Sequence, residues 1–142
     1  MRGRVLAIDL GARRIGLAIS DASRTLARPL STIVVNSAAD AVERTSAEIT
    51  RLSSEDDGLA AIVVGLPRRL DGSPNEQTRR VAAFVDALKQ RTALPIATED
   101  ERLTSREAES RLAVRERDWR ARKTKLDAAA AAIILQDYLD RQ

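Results

Sequence analysis

Three strand-like runs follow one another between Arg4 and Val35 before the first helical periodicity begins, and that order constrains the fold more than any other feature. Arg4 to Asp9 is an apolar run that ends in an acid. A break at Leu10-Gly11-Ala12 leads into a second run, Ile15 to Ser20, and the short Gly-containing connection predicts a hairpin. A third strand is expected from about Leu26 to Val35. Pro29 puts it at a sheet edge, because proline has no backbone N–H to donate to a ladder. Strands joined in this way run antiparallel.

From Ala38 the pattern changes. Ala38, Val42, Thr45, Ile49 and Leu52 recur at helical spacing, which predicts an amphipathic helix over Ala38 to Ser53. Ala60 to Gly65 is a wholly apolar strand, as expected when both faces of a sheet are covered. Ser73-Pro74-Asn75-Glu76 reads as a helix start with Ser73 as N-cap, and Val81, Phe84, Val85 and Leu88 supply the stripe of that helix. Pro95 to about Glu99 is a fifth strand. Thr104 to Glu107 is a second capping pattern, and a last helix is expected from about Lys125 to Leu139. Strand-helix-strand units make parallel additions to a sheet. The expected fold is therefore α/β, a mixed five-stranded sheet with helices on both faces, in one domain over residues 1–142. A Rossmann or flavodoxin-like order is disfavoured, since those begin with a strand-helix unit. The chain also holds no Gly-x-Gly-x-x-Gly and no P-loop.

The sequence contains no cysteine and no histidine. Disulfides, zinc-thiolate centres, cysteine nucleophiles, Ser-His-Asp triads and imidazole acid–base chemistry are thereby excluded. Any catalysis rests on carboxylates, Lys or Arg, hydroxyls or a bound ion. A metal would be a hard cation, Mg²⁺ or Mn²⁺, on oxygen ligands. The net charge is only +3, but it is unevenly spread. Met1 to Val35 carries six arginines against two acids, and Arg111 to Lys125 seven basic residues against two acids. Such clusters point to a polyanionic partner or to a solvated basic surface.

Three acidic positions are informative. Asp9 ends a strand where the chain turns away, at the rim where open sheets place ligands, although a turn carboxylate would look the same. Glu99, Asp100 and Glu101 end the fifth strand, and alternation puts Glu99 and Glu101 on one face and Asp100 on the other. Asp127 follows Thr124 at the spacing of a capping box, yet it also shares a helical face with Ala131, Ile134 and Tyr138. Carboxylates from two strand ends and one helix would make a hard-cation site able to clamp a phosphodiester and activate water. Arg13 and Arg14 on the hairpin loop are candidates for holding phosphates, as are Arg68 and Arg69 before Ser73, Arg102 beside the acids, and Arg122, Lys123 and Lys125.

Four segments carry a family resemblance across nearly the whole chain. Ala7-Ile-Asp9-Leu-Gly11-Ala-Arg-Arg-Ile-Gly16-Leu-Ala-Ile-Ser-Asp21 resembles the opening motif of the YqgF/RuvX family. Val63-Val-Gly65-Leu-Pro67 with Asp71-Gly72, Asp100-Glu101-Arg102-Leu103-Thr104-Ser105, and Lys125-Leu-Asp127 with the following alanine run resemble its later motifs in order. Ser105, often Thr in the family, is a minor departure. The resemblance implies an RNase H-like fold and Asp9, Glu101 and Asp127 as a metal-binding catalytic triad, with Asp100 as an additional candidate. It implies processing of the 5′ end of pre-16S rRNA, with Holliday-junction resolution of four-way DNA as the alternative. Two rivals come from other classes. One is a nucleic-acid-binding module without catalysis, which would keep the basic patches but not need convergent acids. The other is a fragment of a sugar-kinase or actin-like ATPase, suggested by Ile8-Asp9-Leu10-Gly11; such proteins need a second domain for which 142 residues leave no room.

No apolar run reaches the roughly 18 residues of a membrane span, and the N-terminus lacks the apolar stretch of a signal peptide, so a cytoplasmic location is expected. Monomer and homodimer both remain open. With Phe84, Trp119 and Tyr138 as its aromatics, the chain is not built to grip nucleic acid by base stacking. The charged stretch from Val114 to Thr124, which includes Trp119, reads either as a mobile basic flap beside the acids or as a plain helix connection whose arginines keep it soluble.

Overall fold

The computed structural model describes residues 3–67, 73–100 and 119–142, the side chains of 119–126 excepted. The elements are β1 (Arg4–Leu10), β2 (Arg14–Ser20), β3 (Ala27–Val34), α1 (Ala38–Ser53), β4 (Leu59–Leu66), α2 (Glu76–Lys89), β5 (Ile96–Asp100) and α3 (Trp119–Asp140). The sheet order is β3-β2-β1-β4-β5. β1 pairs antiparallel with β2, and β2 with β3, while β1–β4 and β4–β5 are parallel. This is the expected mixed sheet, with β3 and its Pro29 at one edge.

Alternation along the central strands sorts the core into two layers. Leu6, Ile8 and Leu10 of β1, with Ile15, Leu17 and Ile19 of β2, pack beneath Ala41, Ile49 and Leu52 of α1 and Val81, Phe84, Val85 and Leu88 of α2. Val5 and Ala7, with Ala18 and Val63, pack on the other face against Ala131, Ile134, Leu135 and Leu139 of α3. Leu6, Ile8, Leu17 and Ile19 are fully buried, and each such side chain stabilises the fold by about 1.5–3 kcal/mol relative to exposure. At the start of β1 the aliphatic part of Arg4 is buried, and its guanidinium donates to the carbonyls of Gly58 (3.1 Å) and Leu52 (3.3 Å) and to Glu55 (2.8 Å). This ties the α1–β4 connection to the sheet.

α3 is pinned to the sheet at several points. The Gln136 side chain accepts from the Ala27 N–H (2.9 Å) and donates to the Thr25 carbonyl (3.0 Å). Asp127, nine residues earlier, receives a bond from Arg14 of β2. Small side chains let this helix lie close: Ala131 is buried in the layer with Val5, Ala7, Ala18 and Val63, and the Ala128 backbone lies over Gly16.

Two expected boundaries are corrected. The cap of α2 is Asn75 rather than Ser73. The Asn75 side chain accepts from the Thr78 N–H (2.9 Å) and the Asn75 N–H donates to the Thr78 hydroxyl (2.9 Å), a reciprocal box that Ser73 cannot form. Asn is as strong an N-cap as Ser, and Pro74 holds the residue before it extended. The last helix begins at Trp119, not near Lys125, so Trp119 to Thr124 belongs to α3 and is not a connecting flap. The rest of that segment, and the helix expected after Thr104, lie outside the described residues. Among the described residues no helix is long and apolar enough to cross a membrane.

Candidate nuclease site

Asp9 follows Val5 and Ala7 on the α3 side of β1, half-buried near the end of the strand. Its antiparallel neighbour in β2 is Gly16. Continuing the β1–β4 register beyond Ile8↔Val64 puts Gly65 on its other flank. Neither neighbour carries a side chain, so the carboxylate stands in a gap in an otherwise filled face.

α3 closes over that gap. A Cβ added at Gly16 would lie 2.0 Å from the carbonyl oxygen of Asp127 and 2.4 Å from its carbonyl carbon. The backbone of α3 at Asp127 thus rests directly on the residue beside Asp9. An isolated glycine inside an apolar strand is the sequence signal of such an approach. Because α3 begins at Trp119, Asp127 lies well inside the helix and Thr124 does not cap it. Helix capping therefore does not account for this acid. Its Oδ2 receives a bond of 2.8 Å from Nε of Arg14, and both side chains keep a little under a third of their surface exposed.

Arg14 is held by the turn before it. The Gly11 N–H donates to the Arg14 carbonyl at 2.8 Å, and a Cβ on Gly11 would stand 2.6 Å from that oxygen. Glycine at 11 makes the tight turn and glycine at 16 makes the helix seat, so both shape the placement of Arg14 against Asp127. No local pattern in the sequence signals the ion pair, since Arg14 and Asp127 are 113 residues apart in the chain.

Glu99 lies on the α3 side of β5, opposite Gly65 in the register, and is almost fully buried. It pairs with Arg141 of the chain end just beyond α3. Burial pushes its carboxyl up from the ordinary value; Arg141 offsets part of this, while Asp137 and Asp100 add repulsion. Asp100 is exposed at the end of β5 and alternates to the opposite side of the strand. Arg13 is exposed at the hairpin tip, and its carbonyl accepts from the Val35 N–H at 2.9 Å. Glu101, Arg68, Arg69 and Arg102 lie outside the described residues. Arg122, Lys123 and Lys125 lie on the first turns of α3, their side chains outside the described set. Among the described residues no group of three or more acids is assembled as a metal cage. A cavity of about 380 Å³ lies on the other side of the sheet, between α1 and α2, and is lined by Leu10, Val42, Phe84 and Arg80. It does not coincide with the acids.

The family model described as "RuvX: Holliday junction resolvase" matches residues 3–141. A protein of Roseiflexus sp. named "Putative pre-16S rRNA nuclease" is 41% identical over 140 residues, which is 99% of this chain and 96% of that one. One of the same name from Chloroflexus aurantiacus is 44% identical over 136 residues, 96% of this chain and 86% of its own. Among solved structures, T. thermophilus RuvC in complex with a Holliday junction substrate superposes with a TM-score of 0.53 at 19% identity, covering 98% of this chain and 94% of that one. Fowlpox virus resolvase with its junction DNA superposes with a TM-score of 0.54 at 15% identity, covering 97% of each. At these identities the likeness is one of fold, and the fold is RNase H-like. With nearly its whole length matched, the chain belongs to the RuvX family.

Proposed function

We propose that the chain is a single-domain, divalent-cation-dependent nuclease that processes the 5′ end of precursor 16S rRNA in the cytoplasm. The observation that carries this reading is the seating of Asp127 on Gly16, the strand neighbour of Asp9, on one face of an RNase H-like sheet. The names of the full-length relatives point to the RNA substrate. The family description and the junction-bound fold neighbours favour a second reading, cleavage of four-way DNA. A binding module without catalysis would keep the basic patches but would not need carboxylates on neighbouring elements of one sheet face.

The donor set fits a hard cation. Asp9 and Asp127 offer carboxylate oxygens in a half-buried setting, and Glu101 would complete the set, whereas Asp100 lies on the opposite side of β5. Bound there, Mg²⁺ or Mn²⁺ supplies Lewis-acid stabilisation and a more acidic water. The protein's part is to hold Asp9 and Asp127 in fixed relation through the sheet and the α3 seat. Arg13, Arg14, Arg68, Arg69, Arg102, Arg122, Lys123 and Lys125 would hold the phosphate backbone and keep the strand in line.

Arg13 gives a direct check of the phosphate assignment. Its side chain is exposed, and the hairpin uses only its backbone. Arg13→Ala is expected to keep the fold, to weaken nucleic-acid binding whatever the sequence, and to lower the slope of log K against log salt by about one. The reading as a whole is tested by incubating the protein and Mg²⁺ or Mn²⁺ with a 5′-extended 16S precursor RNA and, separately, with a four-way DNA junction. Metal-dependent cleavage of the RNA is expected. Cleavage of the junction alone selects the second reading, and cleavage of neither overturns both.

A further inference from the structure

Arg14 makes its bond to Asp127 through Nε, end-on to the single oxygen Oδ2. A buried structural arginine commonly uses its planar fork for two parallel bonds to a carboxylate. This one engages Asp127 with one donor, at a site open to water on both sides of the pair. It also stands on the first residue of β2, beside the exposed Arg13 at the hairpin tip. Alternation along β2 puts Arg14, Gly16 and Ala18 on the side that faces α3. Arg14 therefore sits on the same face as Asp9, nearer the rim, on the path by which a phosphate backbone would reach the acids.

From this geometry we infer that Arg14 is a displaceable counter-ion. In the protein without cation it neutralises Asp127. When a divalent cation takes the Asp127 oxygens, the guanidinium loses its partner by charge repulsion and is freed to bind a phosphate oxygen of the nucleic acid. The inference rests on the proposed nuclease reading and gives one residue two successive partners. Two positive groups compete for one carboxylate, so Arg14 weakens cation binding until nucleic acid draws it away. Cation and nucleic acid then bind cooperatively, because each removes a cost of binding the other. No bond is made or broken in this exchange; an ion pair is traded for another. Each side chain keeps a little under a third of its surface open to water, so solvent can reach both groups as they separate.

The test is a calorimetric titration of Mn²⁺ into the free protein, with nucleic-acid binding measured in parallel, on wild type and Arg14→Gln. Arg14→Gln is expected to bind Mn²⁺ about three- to tenfold more tightly, because the competitor is gone. It is expected to bind nucleic acid in the presence of Mn²⁺ more weakly, with a smaller salt slope. Opposite shifts of the two affinities are what a merely structural pair would not produce. Unchanged or weaker Mn²⁺ binding overturns the inference, and so does unchanged nucleic-acid binding. Arg14→Lys keeps the charge without the fork and should fall between the two; it serves if the glutamine variant does not fold. In an Asp127→Asn background the effect of Arg14→Gln on Mn²⁺ binding should vanish, which locates the competition at that carboxylate. These titrations do not require cleavage. Absence of cleavage by the wild type would sink the nuclease reading and leave the Mn²⁺ result standing, whereas failure of the Mn²⁺ result with cleavage intact would sink only the role of Arg14.

Discussion

Asp9→Asn is expected to lower metal-dependent cleavage by about 10³-fold or more while leaving the fold intact. Asparagine matches aspartate in size, so its place on the strand between Gly16 and Gly65 is kept. What is lost is the negative charge that would hold the cation and offset its charge in the transition state. Metal-supported charge stabilisation is worth several kcal/mol, and each 1.36 kcal/mol is tenfold in rate. Asp127→Asn should match this loss of rate but differ in stability. It also removes the ionic partner of Arg14, a part-buried pair, so its melting temperature should fall below that of Asp9→Asn. Assays at saturating substrate with thermal melts of both variants check this pair of expectations. An Asp9→Asn protein that cuts at the wild-type rate removes Asp9 from the chemistry.

Gly16→Ala is expected to damage activity as severely as many active-site changes, though residue 16 has no chemistry of its own. The new Cβ would stand 2.0 Å from the Asp127 carbonyl oxygen, against an ordinary contact of about 3.5 Å. The obstacle is helix backbone and not the tip of a flexible side chain. α3 must therefore retreat at the point where Asp127 meets the sheet. Overpacking of this kind costs about 1–3 kcal/mol. A displacement of about 1 Å at a positioned group costs on the order of 10²-fold in rate. A melting temperature lowered together with a fall in kcat, and with secondary structure retained, is the expected outcome. An alanine variant with wild-type stability and rate would show that α3 does not seat there.

Much of this architecture is legible in the residues because local signals agree. The acid at 9 and glycine at 11 mark the end of one strand and a tight turn, and the α1 stripe from Ala38 to Leu52 gives a helix with the observed boundaries. The errors have physical causes. Ser73 and Asn75 are both good caps two residues apart, and the partner at Thr78 decides between them. The start of α3 escapes notice because Arg120 to Lys125 is a run of basic and small residues without an apolar stripe. For the site, Asp9 and Asp127 could be singled out by their breaks with the local pattern. Their approach depends on Gly16, whose meaning appears only once a helix lies on it. The Arg14 pairing depends on a turn and a helix that meet across the whole chain. Glu99 illustrates the converse: alternation assigns it the face it occupies, but its burial against Arg141 needs the packed helix.

The most direct test of the central claim, that Asp9 and Asp127 share a cation, is anomalous diffraction from crystals of the protein soaked in Mn²⁺. A peak is expected between the two carboxylates, within coordination distance of an oxygen of each, with Arg14 moved off Asp127. A peak elsewhere, or no peak with the Arg14–Asp127 pair still closed at saturating Mn²⁺, would contradict it.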